Sequence, residues 1–358
     1  MTTAPIAPST LSLSDTRGRI DRTLHTFMLE RRFDDPRLNH AVSLLHDFVL
    51  RGGKRVRPLM ACVGYTAVTG NNPTPAVLKA AASLELFHAF ALIHDDIMDG
   101  SDTRRGRPSL HRALADSSNL SDEPSAERDG VGRAILLGDL ALMWSDEMLH
   151  SCGFTAAQRT AVRPVLDAMR TEVIGGQYLD LIAQSSLTAD LDTALAVVRS
   201  KTAKYTVERP LHLGAALAGG TRRQVEELTQ YAIPLGEAFQ LRDDLLGVFG
   251  DPKVTGKSRL SDLREGKKTA LIAIAHRDAA PAHRARLDAL LGRPGLTEGE
   301  AEQIRNILTV CGARRAVEQM IADRCRRVYN CLDSVSHLSP RAVQNLRILA
   351  DSAVRRTS

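Results

Sequence analysis

Asp95, Asp96 and Asp99 close the segment Leu92-Ile93-His94-Asp95-Asp96-Ile97-Met98-Asp99-Gly100-Ser101, which a helix would not acidify for its own stability. Leu84 to Met98 contains neither Gly nor Pro and predicts one buried helix, with Gly100 a natural stop just past its end. The three carboxylates then fall in the last turn, at the negative end of the helix macrodipole, where acids are disfavoured. Asp95 and Asp99 are four apart and share a face. Carboxylates gathered at the wrong end of an apolar helix call for a cation. Oxygen ligands suit a hard ion such as Mg²⁺, which keeps several waters and bridges to substrate phosphates. Glu237 to Gly247 repeats the device: an apolar helical run ends in Asp243, Asp244 and a glycine.

Each acidic segment delivers the chain into a basic stretch. The first is followed by Arg104, Arg105 and Arg107, the second by Lys253, Lys257, Arg259, Arg264, Lys267 and Lys268. Acids and bases facing one cleft suit a diphosphate substrate: carboxylates hold Mg²⁺, and Mg²⁺ with Lys and Arg holds the phosphate oxygens. Such a clamp on a departing diphosphate stabilises the negative charge that develops as its C–O bond breaks. The carbocation left behind needs a dry apolar pocket, which Leu84, Phe87, Phe90 and Ala91 could line. No Ser/His/Asp triad or reactive cysteine constellation competes for the role.

The elements that must position these groups read as helices almost throughout: Asn39 to Leu50, Pro75 to Met98, Ala134 to Cys152, Ala156 to Gly175, Thr188 to Val207, Arg222 to Leu246, Thr269 to Asp278 and Gly299 to Cys311. Alternating strand patterns are scarce, and neither a Walker loop nor a strand followed by G-x-G-x-x-G occurs. The expected fold is an all-α, large single-domain bundle of long helices around a central cavity, with roughly a dozen helices. Ser101 to Gly132 is the longest polar stretch and reads as a lid or loop; Gly250 to Lys268 reads as a second irregular stretch. Residues 1–14 read as a disordered Thr/Ser/Pro-rich tail and 15–358 as one domain.

The totals fit that picture. The 358 residues are 43% hydrophobic and 25% charged, ordinary values for a globular protein. No run of about 18 uninterrupted apolar residues predicts a membrane span. Five scattered cysteines, without a CxxC pair or zinc spacing, read as reduced thiols of a cytoplasmic protein. The net charge of +5 comes with only 4% aromatics and no basic helical stripe, so it suits a pocket for polyanionic small molecules better than nucleic acid.

The motifs together resemble the trans-isoprenyl diphosphate synthases of the polyprenyl synthetase family. Asp95-Asp96-Ile97-Met98-Asp99 with Arg104-Arg105-Gly106 resembles the family's first aspartate-rich motif, and Gln240-Leu241-Arg242-Asp243-Asp244 its second. Gly52-Gly53-Lys54-Arg55-Val56-Arg57-Pro58 resembles its basic motif. Lys201-Thr202, Thr255-Gly256-Lys257 and Gly266-Lys267-Lys268-Thr269 follow in the family's order. The resemblance implies condensation of isopentenyl diphosphate with an allylic diphosphate (dimethylallyl, geranyl or farnesyl) by a homodimer using three Mg²⁺ ions per site. It implies Asp95, Asp99 and Asp243 as metal ligands, with Asp96 and Asp244 acting through water. It implies Arg104, Lys201, Thr202, Gln240, Lys257 and Lys267 on the allylic diphosphate, with Lys267 preferred to its neighbour Lys268. It implies Lys54, Arg57, His88 and Arg105 on isopentenyl diphosphate, and Gln177 near the reacting allyl group. The released diphosphate would take the final proton. Arg259 and Arg264 read as solvated loop charges and Asp139 as structural; Lys54 and Arg57 could be surface charges and His88 a satisfied core histidine.

One departure stands out. Where the family's second motif usually has a third Asp, this chain has Gly247; Asp251 could substitute only if the helix ran on past Gly250. The intact first motif and Arg pair speak against a non-catalytic partner subunit, and Lys54, Arg57 and His88 against a terpene cyclase, which needs no second diphosphate site. Product length depends on what the growing tail meets below Asp95. Ala91 lets the tail pass and Phe90 is the first bulky side chain, a pattern that resembles the geranylgeranyl (C20) synthases, with farnesyl (C15) as the alternative.

Overall fold

The first acidic segment is carried by a helix whose start is as well specified as its end. Thr74 caps the backbone N–H of Val77, Pro75 sits in the first turn, and the helix runs Pro75–Met98 with Asp99 as its C-cap. It is apolar on every side, so it must be surrounded. By length and composition it could cross a bilayer, with a mean hydropathy of 1.6 over its best window; two thirds of that window is buried inside the protein. It is the central helix of the core.

The computed structural model describes residues 12–118, 120, 122–186, 189–251 and 259–354. We number the helices in chain order: α1 Leu13–Leu29, α2 Pro36–Leu50, α3 Val56–Thr69, α4 Pro75–Met98, α5 Leu110–Asp116, α6 Glu123–His150, α7 Ala156–Ser185, α8 Leu191–Val197, then a π-helical segment Val198–Glu208 continuing into α9 Arg209–Leu217. There follow α10 Arg222–Phe249, α11 Ser261–Arg264, α12 Ala270–Asp278, α13 Pro281–Leu290, α14 Glu298–Val310, α15 Ala313–Ser334 and α16 Pro340–Val354. Among the described residues the fold is all-α apart from one small hairpin, Thr103–Arg104 against Arg107–Pro108. One apolar cluster gathers α1 to α7 around Phe87, Leu86 and Ile93 of α4. A second packs α10 to α15 around Leu241, Ile272 and Ile304, and a third joins α3, α9, α10 and α16 around Tyr231.

Several sequence expectations need correction. Ser101 to Gly132 is not a structureless loop. It holds the hairpin, α5 and the first turns of α6, whose start is fixed by the Asp122 cap and Pro124 rather than by an apolar stripe. α7 does not stop at Gly175 but runs ten residues further, through both glycines. Helical structure from α8 continues to Leu217 by way of the π segment. Ser12 caps α1, so the chain is helical from Leu13; residues 1–11 of the expected tail lie outside the described residues. Gly250 to Lys268 contains α11.

Candidate active site

The ends of α4 and α10, the π segment and the turn after α11 meet at one cleft. Asp95 accepts a hydrogen bond from Lys201 Nζ at 2.9 Å, and the same ammonium donates to Asp180 of α7 at 2.8 Å. Burial alone would raise the Asp95 carboxyl, but Lys201, with Lys267 and Arg104, holds the group below the usual carboxylate range. Lys201 is correspondingly held protonated despite its own burial. Arg104, from the hairpin, grips Asp96 through Nε at 2.8 Å and through Nη2. The sequence reading aimed Arg104 at substrate; here its guanidinium is directed first at Asp96, with Asp95 Oδ2 3.8 Å away. Asp96 is 1% exposed, and burial pushes its carboxyl up against the pull of Arg104.

Asp99 is the orphan of the triad. Its side chain is 1% exposed, and neither carboxylate oxygen receives a hydrogen bond in good geometry; the Lys267 ammonium stands 3.2 Å from Oδ2. Asp96 Oδ2 is likewise buried without a donor. Buried anionic oxygens without donors are costly unless a cation completes them. An all-oxygen donor set of this kind fits Mg²⁺. Lys267 also lies 2.8 Å from Glu265 and 3.9 Å from Asp262, which hold it protonated against burial. Lys268 points elsewhere, to the carbonyl of Ser186. Both lysines line a cavity of about 100 Å³ together with Lys201, Thr202, Gln240 and Asp244.

On the second acidic segment, Thr202 Oγ1 donates to Gln240 Oε1 at 2.7 Å, and Gln240 Nε2 donates to Asp244 Oδ1 at 2.7 Å. Burial, with Asp262 and Asp243 nearby, pushes Asp244 up to about 7 despite that hydrogen bond. Asp243 lies one residue earlier on the same helix end. Lys253 and Lys257 lie outside the described residues. Arg259 pairs with Glu298, and Arg264 donates to the carbonyl of Leu296 at 2.8 Å, so these two tie down the turn rather than merely facing solvent. Gln177 sits over the cleft, 4.0 Å from the Met98 sulfur. Asp139, half-exposed, lies 3.7 Å from His94.

A second charged pocket lies beside the first. Arg57 stacks 4.2 Å from the Tyr205 ring and donates to Thr206 at 2.7 Å. His88 lies 6.1 Å from the same ring, its Nδ1 buried without a partner. Burial and the surrounding guanidinium groups of Arg57, Arg105, Arg104 and Arg55 hold its pKa well below the usual value, so it is neutral at pH 7. Arg105, at φ +54°, folds across the basic motif, donating to the carbonyl of Arg51 at 3.0 Å. Gly53 sits at φ +90°, a conformation glycine adopts without strain, with the Arg105 guanidinium packed close above it. Lys54 is exposed at the rim.

Residues 39–308 match the sequence profile of the family described as polyprenyl synthetase. The chain belongs to the polyprenyl synthetase family. A geranylgeranyl pyrophosphate synthase from Corynebacterium glutamicum, solved with isoprenyl diphosphate and magnesium, superposes with a TM-score of 0.89 at 40% identity, covering 96% of this chain and 98% of that one. The geranylfarnesyl diphosphate synthase of Aeropyrum pernix is 32% identical over 308 residues, 85% of this chain and 91% of that protein. The (2E,6E)-farnesyl diphosphate synthase of Mycobacterium tuberculosis is 34% identical over 292 residues, 80% of this chain and 74% of that protein.

Three residues of this polyprenyl synthetase escaped the sequence reading. Asp180 shares Lys201 with Asp95 from a different helix. Asp262 stands against Gly247. Arg55, in the basic motif, does not face the cleft: it is 3% exposed and bonds Glu85 at 2.8 Å and Asp21 at 2.7 Å. Its place between Lys54 and Arg57 hid it, because all three read alike as cations. Glu85 carried the one usable signal, an acid inside an apolar helix.

Proposed function

We propose that this polyprenyl synthetase joins isopentenyl diphosphate head-to-tail to an allylic diphosphate, giving an all-trans short-chain product, with geranylgeranyl diphosphate (C20) favoured. The observation that carries this reading is the pairing of two unlike anion sites. One is an acid-rich cleft threaded by Lys201 and Lys267; the other is a cationic pocket of Arg57, Arg105 and the buried His88, whose Nδ1 has no partner. A cyclase of one diphosphate has no use for the second pocket, and a non-catalytic partner subunit has no use for the intact acids.

Asp95, Asp99 and Asp243 would hold three Mg²⁺ ions, with Asp96 and Asp244 acting through water. When bound, the ions would neutralise the charge that builds on a departing diphosphate. Lys201, Lys267, Arg104, Thr202 and Gln240, with Lys257, take the allylic diphosphate oxygens and hold them in line. Arg57, Arg105, His88 and Lys54 hold isopentenyl diphosphate with its double bond toward the allyl carbon. The apolar flank of α4 keeps water from the cation, and the released diphosphate accepts the proton that is lost. Phe90, packed at a tilt against Phe87 at 5.4 Å and edge-on to His94 at 4.8 Å, narrows the tail path, while Ala91, about 6 Å below Asp95 at 1.5 Å per residue, leaves it open.

A second copy of the chain completes the assembly. Leu136 and Met143 on α6 and Ile174, Tyr178 and Ile182 on α7 are large apolar side chains left exposed, and such side chains gathered into a patch mark a protein interface. The five cysteines, all unpaired, fit a cytoplasmic setting. Product analysis with isopentenyl diphosphate and each allylic primer tests the activity; no condensation with any primer would overturn it. Ala91→Phe is expected to shorten the product and Phe90→Ala to lengthen it. An unchanged distribution in both would place the stop elsewhere.

A further inference from the structure

Both substrate pockets draw residues from one short stretch, the π segment Val198–Glu208. Lys201 and Thr202 reach the acid-rich cleft. One turn further on, Tyr205 and Thr206 hold Arg57 of the cationic pocket, by a ring contact at 4.2 Å and a hydrogen bond at 2.7 Å. π turns are rare and occur mostly at functional sites, so what fixes this one matters. Each of its ends is tied by a carboxylate from a different helix.

At the N-terminal end, Glu237 of α10 accepts from Arg199 Nε at 3.0 Å and from Nε of Arg324, on α15, at 2.8 Å. Glu237 is 5% exposed, and a carboxylate so buried must keep its cations. Glu237 meets Arg199 and Gln240 meets Thr202, so the contacts advance three residues on each helix and the first tie sets the register of the second. At the C-terminal end, Glu172 of α7 accepts from Lys204 Nζ at 2.6 Å. It also takes Nε and Nη2 of Arg209 as a fork, at 2.7 Å each. Burial would raise the Glu172 carboxyl, but Arg209 and Lys204 hold it below the usual carboxylate range. Lys204 and Arg209 bracket Tyr205 and Thr206. Neither glutamate lines the small cavity that holds Lys201, Thr202 and Gln240.

We propose that Glu237 and Glu172 are positioning residues that act as two separate clamps on the π segment. The Glu237 clamp sets Lys201 and Thr202, and so the grip on the allylic diphosphate. The Glu172 clamp sets Tyr205 and Thr206 and, through Arg57, the grip on isopentenyl diphosphate. Loosening one end therefore impairs one substrate more than the other, although the residues affected lie on one continuous helix. This inference rests on the two-pocket reading above.

The test measures both Michaelis constants and the melting temperature of the full-length protein with Mg²⁺, geranyl diphosphate and isopentenyl diphosphate. Arg199→Met cuts the first tie but leaves Glu237 paired with Arg324. Lys204→Met cuts the second but leaves Glu172 paired with Arg209. Both variants should melt within a few degrees of the parent. Arg199→Met should raise the constant for geranyl diphosphate about fivefold or more and move that for isopentenyl diphosphate by less than about twofold, a small part of what misplacing a positioning group can cost. Lys204→Met should do the reverse. Glu237→Gln and Glu172→Gln, both isosteric, should show the same split more strongly. Arg199→Lys and Lys204→Arg, which keep the charge, should bring each constant back toward the parent. Equal changes in both constants, no change in either, or no recovery with the charge-keeping variants would overturn the proposal while the parent activity stands. A parent protein that condenses no allylic primer at all sinks the two-pocket reading beneath it.

Discussion

At the scale of single residues, the acids that matter are those whose charge is answered by a cation on another element. Asp95 is answered by Lys201, Asp96 by Arg104 and Asp99 by Lys267. Replacing Asp95 by Asn should lower turnover by roughly two to three orders of magnitude, as expected when a group stabilising leaving-group charge is removed. The helical circular dichroism should be unchanged; near-normal turnover would refute the assignment. His212 offers a separate check of burial. It is 6% exposed, between Arg209 and Thr229, and burial brings its pKa down to about 4. The unfolded chain takes up this proton near pH 6.5 and the folded chain only near 4. Stability is therefore complete above about pH 6.5 and falls as pH drops toward 4, by up to about 3 kcal/mol. Denaturant titrations at pH 7, 5.5 and 4 should show that decline, and His212→Asn should flatten it. Asp95 and Asp99 stood out because they share one helix end, where spacing fixes the face, and Asp243 because it closes a second apolar helix in the same way. Asp180 and Asp262 were not, because they join the site from other segments and no spacing rule spans a fold.

The π segment is the element that most needs explaining. Lys201 and Thr202 lie in it, and a π helix survives only where its surroundings hold it. Two glycines do so. A Cβ on Gly236 of α10 would stand 2.4 Å from the Cα of Ala203, and one on Gly176 of α7 would stand 2.6 Å from the backbone nitrogen of Lys201. Both neighbours are backbone and cannot rotate away. Gly236→Ala gains about 1 kcal/mol of helix propensity in principle, yet should destabilise the protein and lower activity at least tenfold by shifting Lys201, a drop of the kind small misplacements produce. Equal activity and a raised melting temperature would show that the contact is slack. These glycines also explain why α7 was read ten residues short. Gly175-Gly176 looks like a stop in sequence, whereas the second glycine is a close-packing site whose reason lies on another helix. The long apolar helices, by contrast, were legible, since periodicity and caps such as Thr74 and Thr221 are local signals.

For the whole molecule, the exposed apolar side chains of α6 and α7 are what the proposed dimer would cover. Leu136 is 67% exposed and Tyr178 66%, and Ile174, Tyr178 and Ile182 recur at four-residue spacing. Sedimentation should give a dimer for the parent protein. Leu136→Lys with Tyr178→Lys should shift it toward monomer at micromolar concentration, because charges at an apolar interface core must be desolvated unpaired. A variant that stays dimeric would move the interface elsewhere. Asp180, which holds Lys201, is on the same helix as Tyr178 and Ile182, so a monomeric variant is also expected to lose turnover.

The ammonium of Lys201, shared between Asp95 and Asp180, has a consequence for how the site loads. In the resting cleft Asp95 and Lys201 answer each other, so a metal ion arriving alone must take Asp95 from the ammonium and lose that pair's attraction. A diphosphate arriving alone must face the carboxylates. Arriving together, each takes the partner the other sets free, and the two binding free energies become linked. Titration calorimetry should show that pyrophosphate tightens Mg²⁺ binding by a factor equal to that by which Mg²⁺ tightens pyrophosphate. Lys201→Met should reduce that factor toward one; an undiminished factor would mean the exchange of partners does not run through this lysine.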